Sequence, residues 1–224
     1  MKPGGGGSWR VDIGNEQVAH ALLYVRDACQ LIPADDPIVP PRLADQVPDR
    51  SSMMAFGHRA AAAEDWLDWW TRLVRFEGSR FWENMLDLNV SESNVPDAVA
   101  AHLRGVGSLD HGNKADEPSL QVVASTMAGE ALSWASRSRR PIERQRRHAH
   151  WHVGRAVAEE IIDAYQVSPD RVRAGVTVLA VDGAWGHVSE PGVLLCSETA
   201  FEDEALFARL LREAFETGLA RRPL

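Results

Sequence analysis

Apolar and polar residues along this chain recur with two different periods, and the switches between them mark out its elements. The run Trp9-Arg10-Val11-Asp12-Ile13 alternates as a half-buried strand does, and Gly14-Asn15 ends it. From Asn15, placed to cap, to about Leu31 the spacing turns helical, with Val18, Leu22, Val25 and Cys29 on one face. Pro33, Pro37, Pro40, Pro41 and Pro48 then enforce an irregular connection over residues 33 to 52, since each removes an amide donor and fixes φ. A connection this long inside a domain is either draped over the surface or functional.

A helix over about 57 to 76 follows. Ala62, Ala63, Trp66, Leu67, Trp69, Trp70, Leu73 and Val74 share one broad arc, opposite Asp65, Asp68, Arg72 and Arg75, so the three tryptophans read as core rather than as an aromatic binding box. Gly78 is expected to interrupt this helix, with Phe81, Trp82, Met85 and Leu86 adding a turn or two beyond it. Pro96-Asp97 opens a short helix to about Arg104, and a polar loop covers 105 to 118. Leu120, Val123, Met127, Ala131 and Trp134 stripe a further helix that starts at Ser119, and Pro141 suits the first turn of another, about 142 to 166.

In the last third, Val172, Ala174, Val176 and Val178 alternate with polar neighbours, Asp182-Gly183 signals a turn, and Gly192 to Cys196 reads as a returning strand. Thr199 and Glu202 have capping-box spacing ahead of a helix that buries Phe207, Leu210, Leu211 and Ala214 and ends at Gly218. A lone hairpin is marginally stable, so residues 9 to 13 or a second copy should complete the sheet, and a homodimer would use the hairpin edge.

The expected fold class is α+β and predominantly helical: a helical core, a small antiparallel sheet made of the C-terminal β-hairpin plus the N-terminal strand, and a C-terminal amphipathic helix. The Gly-rich residues 1 to 8 read as a flexible tail and 9 to 220 as a single globular domain, divisible into a helical part, 15 to 140, and an α-β-β-α part, 141 to 218.

Composition narrows the setting. The 224 residues, 45% of them hydrophobic and 25% charged, suffice for a sizeable core without metals or disulfides. The net charge of -8 favours a soluble protein and argues against a nucleic-acid partner. Cys29 and Cys196 form no disulfide framework, and there is no signal-peptide h-region or apolar run of membrane-spanning length, so the expectation is a cytoplasmic protein. Lys2 and Lys114 are the only lysines beside abundant arginine, which points to a bacterial, GC-rich source.

Few residues carry chemistry. His148 and His152 have the i,i+4 spacing of two metal ligands on one helical turn, and Arg155 and Glu159 fall in the same sector, while His150 turns toward the apolar side. Glu159 lies roughly 16 Å along the axis from His148, too far to share its ion. Arg155 brings a positive charge near His152, and no HExxH or paired cysteines supply further ligands. Arg137, Arg139, Arg140, Arg144, Arg146 and Arg147 are a phosphate-site candidate, but the last three point in different directions around a helix, and Glu143 is spaced to pair with Arg147. Cys196, between a strand and a helix N-terminus, is a candidate nucleophile with His187 as its base; the alternative is a small buried hydrophobe. Gly105, Gly107 and Gly112 follow a helix rather than a strand, so they make no dinucleotide fingerprint, and Asp110, His111, Asp116 and Glu117 read as a polar loop.

No motif implies a cofactor, and substrate and partner stay open. The expectation is a non-catalytic interaction or ligand-binding domain. The alternatives are a metal- or cysteine-dependent hydrolase or transferase using His148/His152 or Cys196, and a phosphate or nucleic-acid binder using the arginine segment 137 to 147; Arg144, Arg147, Arg155 and Glu159 are the candidate ligand-binding residues.

Overall fold

The alternation at the N-terminus produces a strand, β1 (Arg10–Gly14), whose Val11 and Ile13 turn toward a core while Arg10 and Asp12 stay exposed or half-exposed on the other face. The structure is a computed structural model; it describes residues 8–14, 17–85, 120–138 and 150–220, and of residues 83–85 and 138 the backbone alone. The chain divides into two compact units, one formed by residues 1–16 with 139–224 and the other by 17–138. The fold is α+β and predominantly helical, with a small mixed sheet of four strands.

The sheet belongs to the first unit. Its strands are β1, β2 (Arg173–Leu179), β3 (Gly186–Glu190) and β4 (Val193–Ser197), in the order β1-β2-β4-β3. β1 pairs in parallel with β2, Arg10 opposite Arg173 and Ile13 opposite Val176, so the N-terminal strand does extend the sheet. The expected antiparallel pairing of the 172–178 and 192–196 strands is corrected: β2 and β4 run parallel, Val176 opposite Leu194. The return is made by β3, antiparallel to β4 and folded back at Pro191-Gly192, where φ of +81° at Gly192 fits the second central position of a type II turn. All five residues of β3 are half-buried, so no inside-outside contrast announces it in the sequence. Asp182-Gly183 is a turn, with Gly183 at φ +71°, but it lies in the passage from β2 to β3 rather than at a hairpin tip.

Helices α4 (Trp151–Tyr165), α5 (Glu198–Glu202) and α6 (Glu204–Ala220) complete this unit. Val153, Val157 and Ile161 of α4 join Phe207, Leu211 and Phe215 of α6 over Ala174, Val176, Leu194 and Cys196 of the sheet. Ala164, which a 3.6-residue period also places on this side of α4, is exposed. β4 is buried along its whole length, as suits an apolar strand flanked on both edges. The Thr199/Glu202 capping box is replaced by two other caps. Ser197, at 0% exposure, accepts from Ala200 N (3.1 Å) at the start of α5 and from Trp185 N (3.0 Å) in the passage before β3. Asp203 accepts from Ala205 N and Leu206 N and starts α6. α6 ends against the β3–β4 turn: a Cβ on Gly218 would lie 3.2 Å from Gly192 Cα and Arg173 O, which is why glycine stands there.

The second unit is built from α1 (Gln17–Ala28), α2 (Arg59–Met85) and α3 (Leu120–Ser138). α1 is buried continuously from Val18 to Ala28, not only along the predicted stripe. It ends in a Schellman arrangement: Leu31 N donates to Arg26 O (2.9 Å) and Gln30 N to Asp27 O (3.1 Å), with Gln30 at φ 54°. α2 runs through Gly78 without interruption; that glycine is buried, so helix continuity outweighs its propensity cost of about 1 kcal/mol. Trp66, Trp69 and Trp70 are all buried, and Leu120, Val123, Met127 and Ala131 form the inner stripe of α3. Contacts pairing Gln17 with Ser136, Tyr24 with Glu130 and Cys29 with Met127 set α1 and α3 antiparallel. The helix predicted over 96 to 104 and the polar loop over 105 to 118 lie outside the described residues. No helix among the described residues is long and apolar enough to cross a membrane.

Candidate functional site

In the first unit α4 begins at Trp151, and His150 ahead of it has φ -105° and ψ 6°, outside the helical range; the expected helix start near 142 lies outside the described residues. His148, Arg144 and Arg147 lie outside the described residues, as do Arg139, Arg140 and Arg146; Arg137 is exposed in the last turn of α3. His152 is exposed, with Nε2 3.2 Å from the Glu204 carboxylate. Arg155 donates to Glu159 at 2.8 Å, one turn along, and that bond raises the guanidinium pKa above its usual value. Arg212 pairs with Glu160 from the neighbouring helix. His152, Arg155, Glu159 and Glu160 of α4 are thus all in exposed pairs, and among the described residues no three His, Cys, Asp or Glu side chains are placed to hold a metal ion. His150 turns inward, 4.6 Å from the Phe201 ring and 5.8 Å from Phe207, edge to face.

Cys196 sits at 0% exposure in the core beneath α4 and α6, and burial pushes its thiol pKa up to about 12. A nucleophile needs the reverse shift. Register separates it from His187: Gly186 is opposite Cys196 and His187 opposite Leu195, so the imidazole and the thiol leave the sheet on opposite faces. Cys29, in the second unit, is buried against Met127 (Sγ to Sδ 3.7 Å), and burial raises its pKa to about 11.

The most constrained constellation is one that stripe and motif reading passed over. Adjacent Arg26 and Asp27 of α1 are buried and charged, 4% and 5% exposed at the side chain. Arg26 donates Nε to Asp27 Oδ1 (2.6 Å) and Nη2 to Oδ2 (3.1 Å), then Nη1 to Pro40 O (2.6 Å) and Nη2 to Pro41 O (2.7 Å). Asp27 Oδ2 also accepts from Leu43 N at 2.7 Å, and the Trp66 ring lies 5.3 Å from the guanidinium. Trp70 Nε1 donates to Ile38 O (2.8 Å) and Arg50 N to Ala28 O (2.8 Å). The proline-rich connection is therefore fastened at residues 38, 40, 41, 43 and 50. Its signal in the sequence is a charged dipeptide inside an apolar helix, which must find partners when buried.

Just outside the two ends of this segment stand two strongly exposed large hydrophobic side chains, Ile32 at 80% and Phe56 at 85% exposure. Both stand on anchored backbone. Gln30 donates to Asp49 (2.9 Å), Asp49 accepts from Ser51 N (2.8 Å), and Arg59 donates to Ser51 O (3.0 Å) while lying over the Phe56 ring at 5.5 Å. Nearby, Glu130 Oε1 accepts from Arg50 (3.0 Å) and from the Tyr24 hydroxyl (2.7 Å). The Arg50 bond and then the Tyr24 bond lower the Glu130 pKa; burial first, then Glu130, pushes Tyr24 up to about 12.

No protein-family model, curated protein or solved structure matches this chain.

Proposed function

We propose that this chain is a non-catalytic interaction module of the bacterial cytoplasm, and that its docking surface is the rim of the proline-rich connection around Ile32 and Phe56. One observation carries the reading: two large apolar side chains face solvent at the two ends of a connection whose middle, at residues 38, 40 and 41, is held by buried charge and tryptophan hydrogen bonds. Single exposed hydrophobes are ordinary on protein surfaces. These two differ in flanking a pre-ordered loop, which lowers the entropy lost on binding, and an aromatic anchor of this kind suits the centre of a contact. The cytoplasmic setting is supported by two free, buried cysteines, and the bacterial source by arginine in place of lysine. Self-association is proposed along β3, the outer strand of the hairpin and one edge of the sheet.

Selection of a displayed random peptide library on the full chain tests the docking surface. The expected result is a family of peptides whose binding falls at least tenfold on Phe56→Ala or Ile32→Ser, with the circular dichroism of the chain unchanged. Binders indifferent to both substitutions, or none at all, would overturn the reading.

A further inference from the structure

We draw no further inference here: the strongest candidate, the apolar patch of the exposed Trp151 ring tilted against Trp9 at the start of helix α4, carries nothing because nothing in the structure shows what covers it.

Discussion

Replacing Arg26 with methionine tests whether buried charge fastens the connection. Methionine fills much of the same space but leaves Asp27, 5% exposed, with only the half-exposed Arg42 guanidinium at 3.9 Å, and strips the Pro40 and Pro41 carbonyls of their donors. Breaking one partner of a buried pair costs about 3–5 kcal/mol, because the remaining charge stays desolvated. At a urea dependence of about 2 kcal/mol per molar, that moves the unfolding midpoint down by roughly 2 M. Tryptophan fluorescence is the natural assay, since Trp66 lies 5.3 Å from the guanidinium and reports on the second unit. Amide exchange at Leu43, whose N–H donates to Asp27, should accelerate in the same variant. The double variant Arg26→Met/Asp27→Leu sharpens the test. A pair serving only itself can be replaced by hydrophobes at little cost. Here three backbone groups would still lose their partners, each worth about 1–3 kcal/mol when buried, so the double variant should remain well below wild type. A midpoint within about 0.5 M of wild type for either variant would refute the fastening role.

Other measurements probe separate parts of the fold. Ser197→Ala leaves the Trp185 and Ala200 amides without their acceptor and should cost about 1–3 kcal/mol in thermal or urea unfolding, against little change for Thr199→Ala. Gln166, exposed at φ 50° after α4, should gain about 0.5–1 kcal/mol as Gln166→Gly, and a loss would show that its bond to Asp163 O outweighs the strain. Iodoacetamide at pH 7.5 should label neither Cys29 nor Cys196 in the native chain and both after denaturation; rapid native labelling of Cys196 would revive it as a nucleophile. Cys196 and Tyr24 both have folded pKa values of about 12, raised from 9.0 and 10.0, so between those limits the unfolded chain loses protons that the folded one keeps. Stability is therefore full below pH 9 and declines as pH rises from 9 toward 12, and Tyr24→Phe should flatten the upper part of that decline.

The amphipathic helices were readable because one stripe of each is buried. Met127 and Ala131 in α3, and Val157 and Ile161 in α4, fall where a 3.6-residue period puts them. α1 was harder, since it is buried on every side and the stripe at Val18, Leu22 and Val25 understates it. Strand pairing was less legible still. Two apolar runs with an Asp-Gly between them look like a hairpin, and only the half-buried Gly186–Glu190 strand, which gives no alternation to read, makes them parallel. The caps moved for a related reason: Thr199 and Glu202 have the right spacing, but Ser197 is where β4 ends and where the passage before β3 needs an acceptor. Of the candidate residues, His152, Arg155 and Glu159 were correctly placed on a polar face, while their pairing depends on Glu204 and on rotamers no pattern encodes. The Arg26–Asp27 fork had a visible signature, yet its acceptors at Pro40 and Pro41 are set by a non-repetitive connection whose path cannot be read from periodicity.

The parallel pairing of Arg10–Gly14 with Arg173–Leu179 fixes an order of events during synthesis. The strand that β1 lies against is made about 160 residues after it, so at 5–20 residues per second the wait is on the order of ten seconds or more. The whole of residues 17–138, the second compact unit, is made in that interval. Throughout it, the strand bearing Val11 and Ile13 has no sheet to join, and its charged outer residues, Arg10 and Asp12, help keep the waiting segment from pairing with another nascent chain.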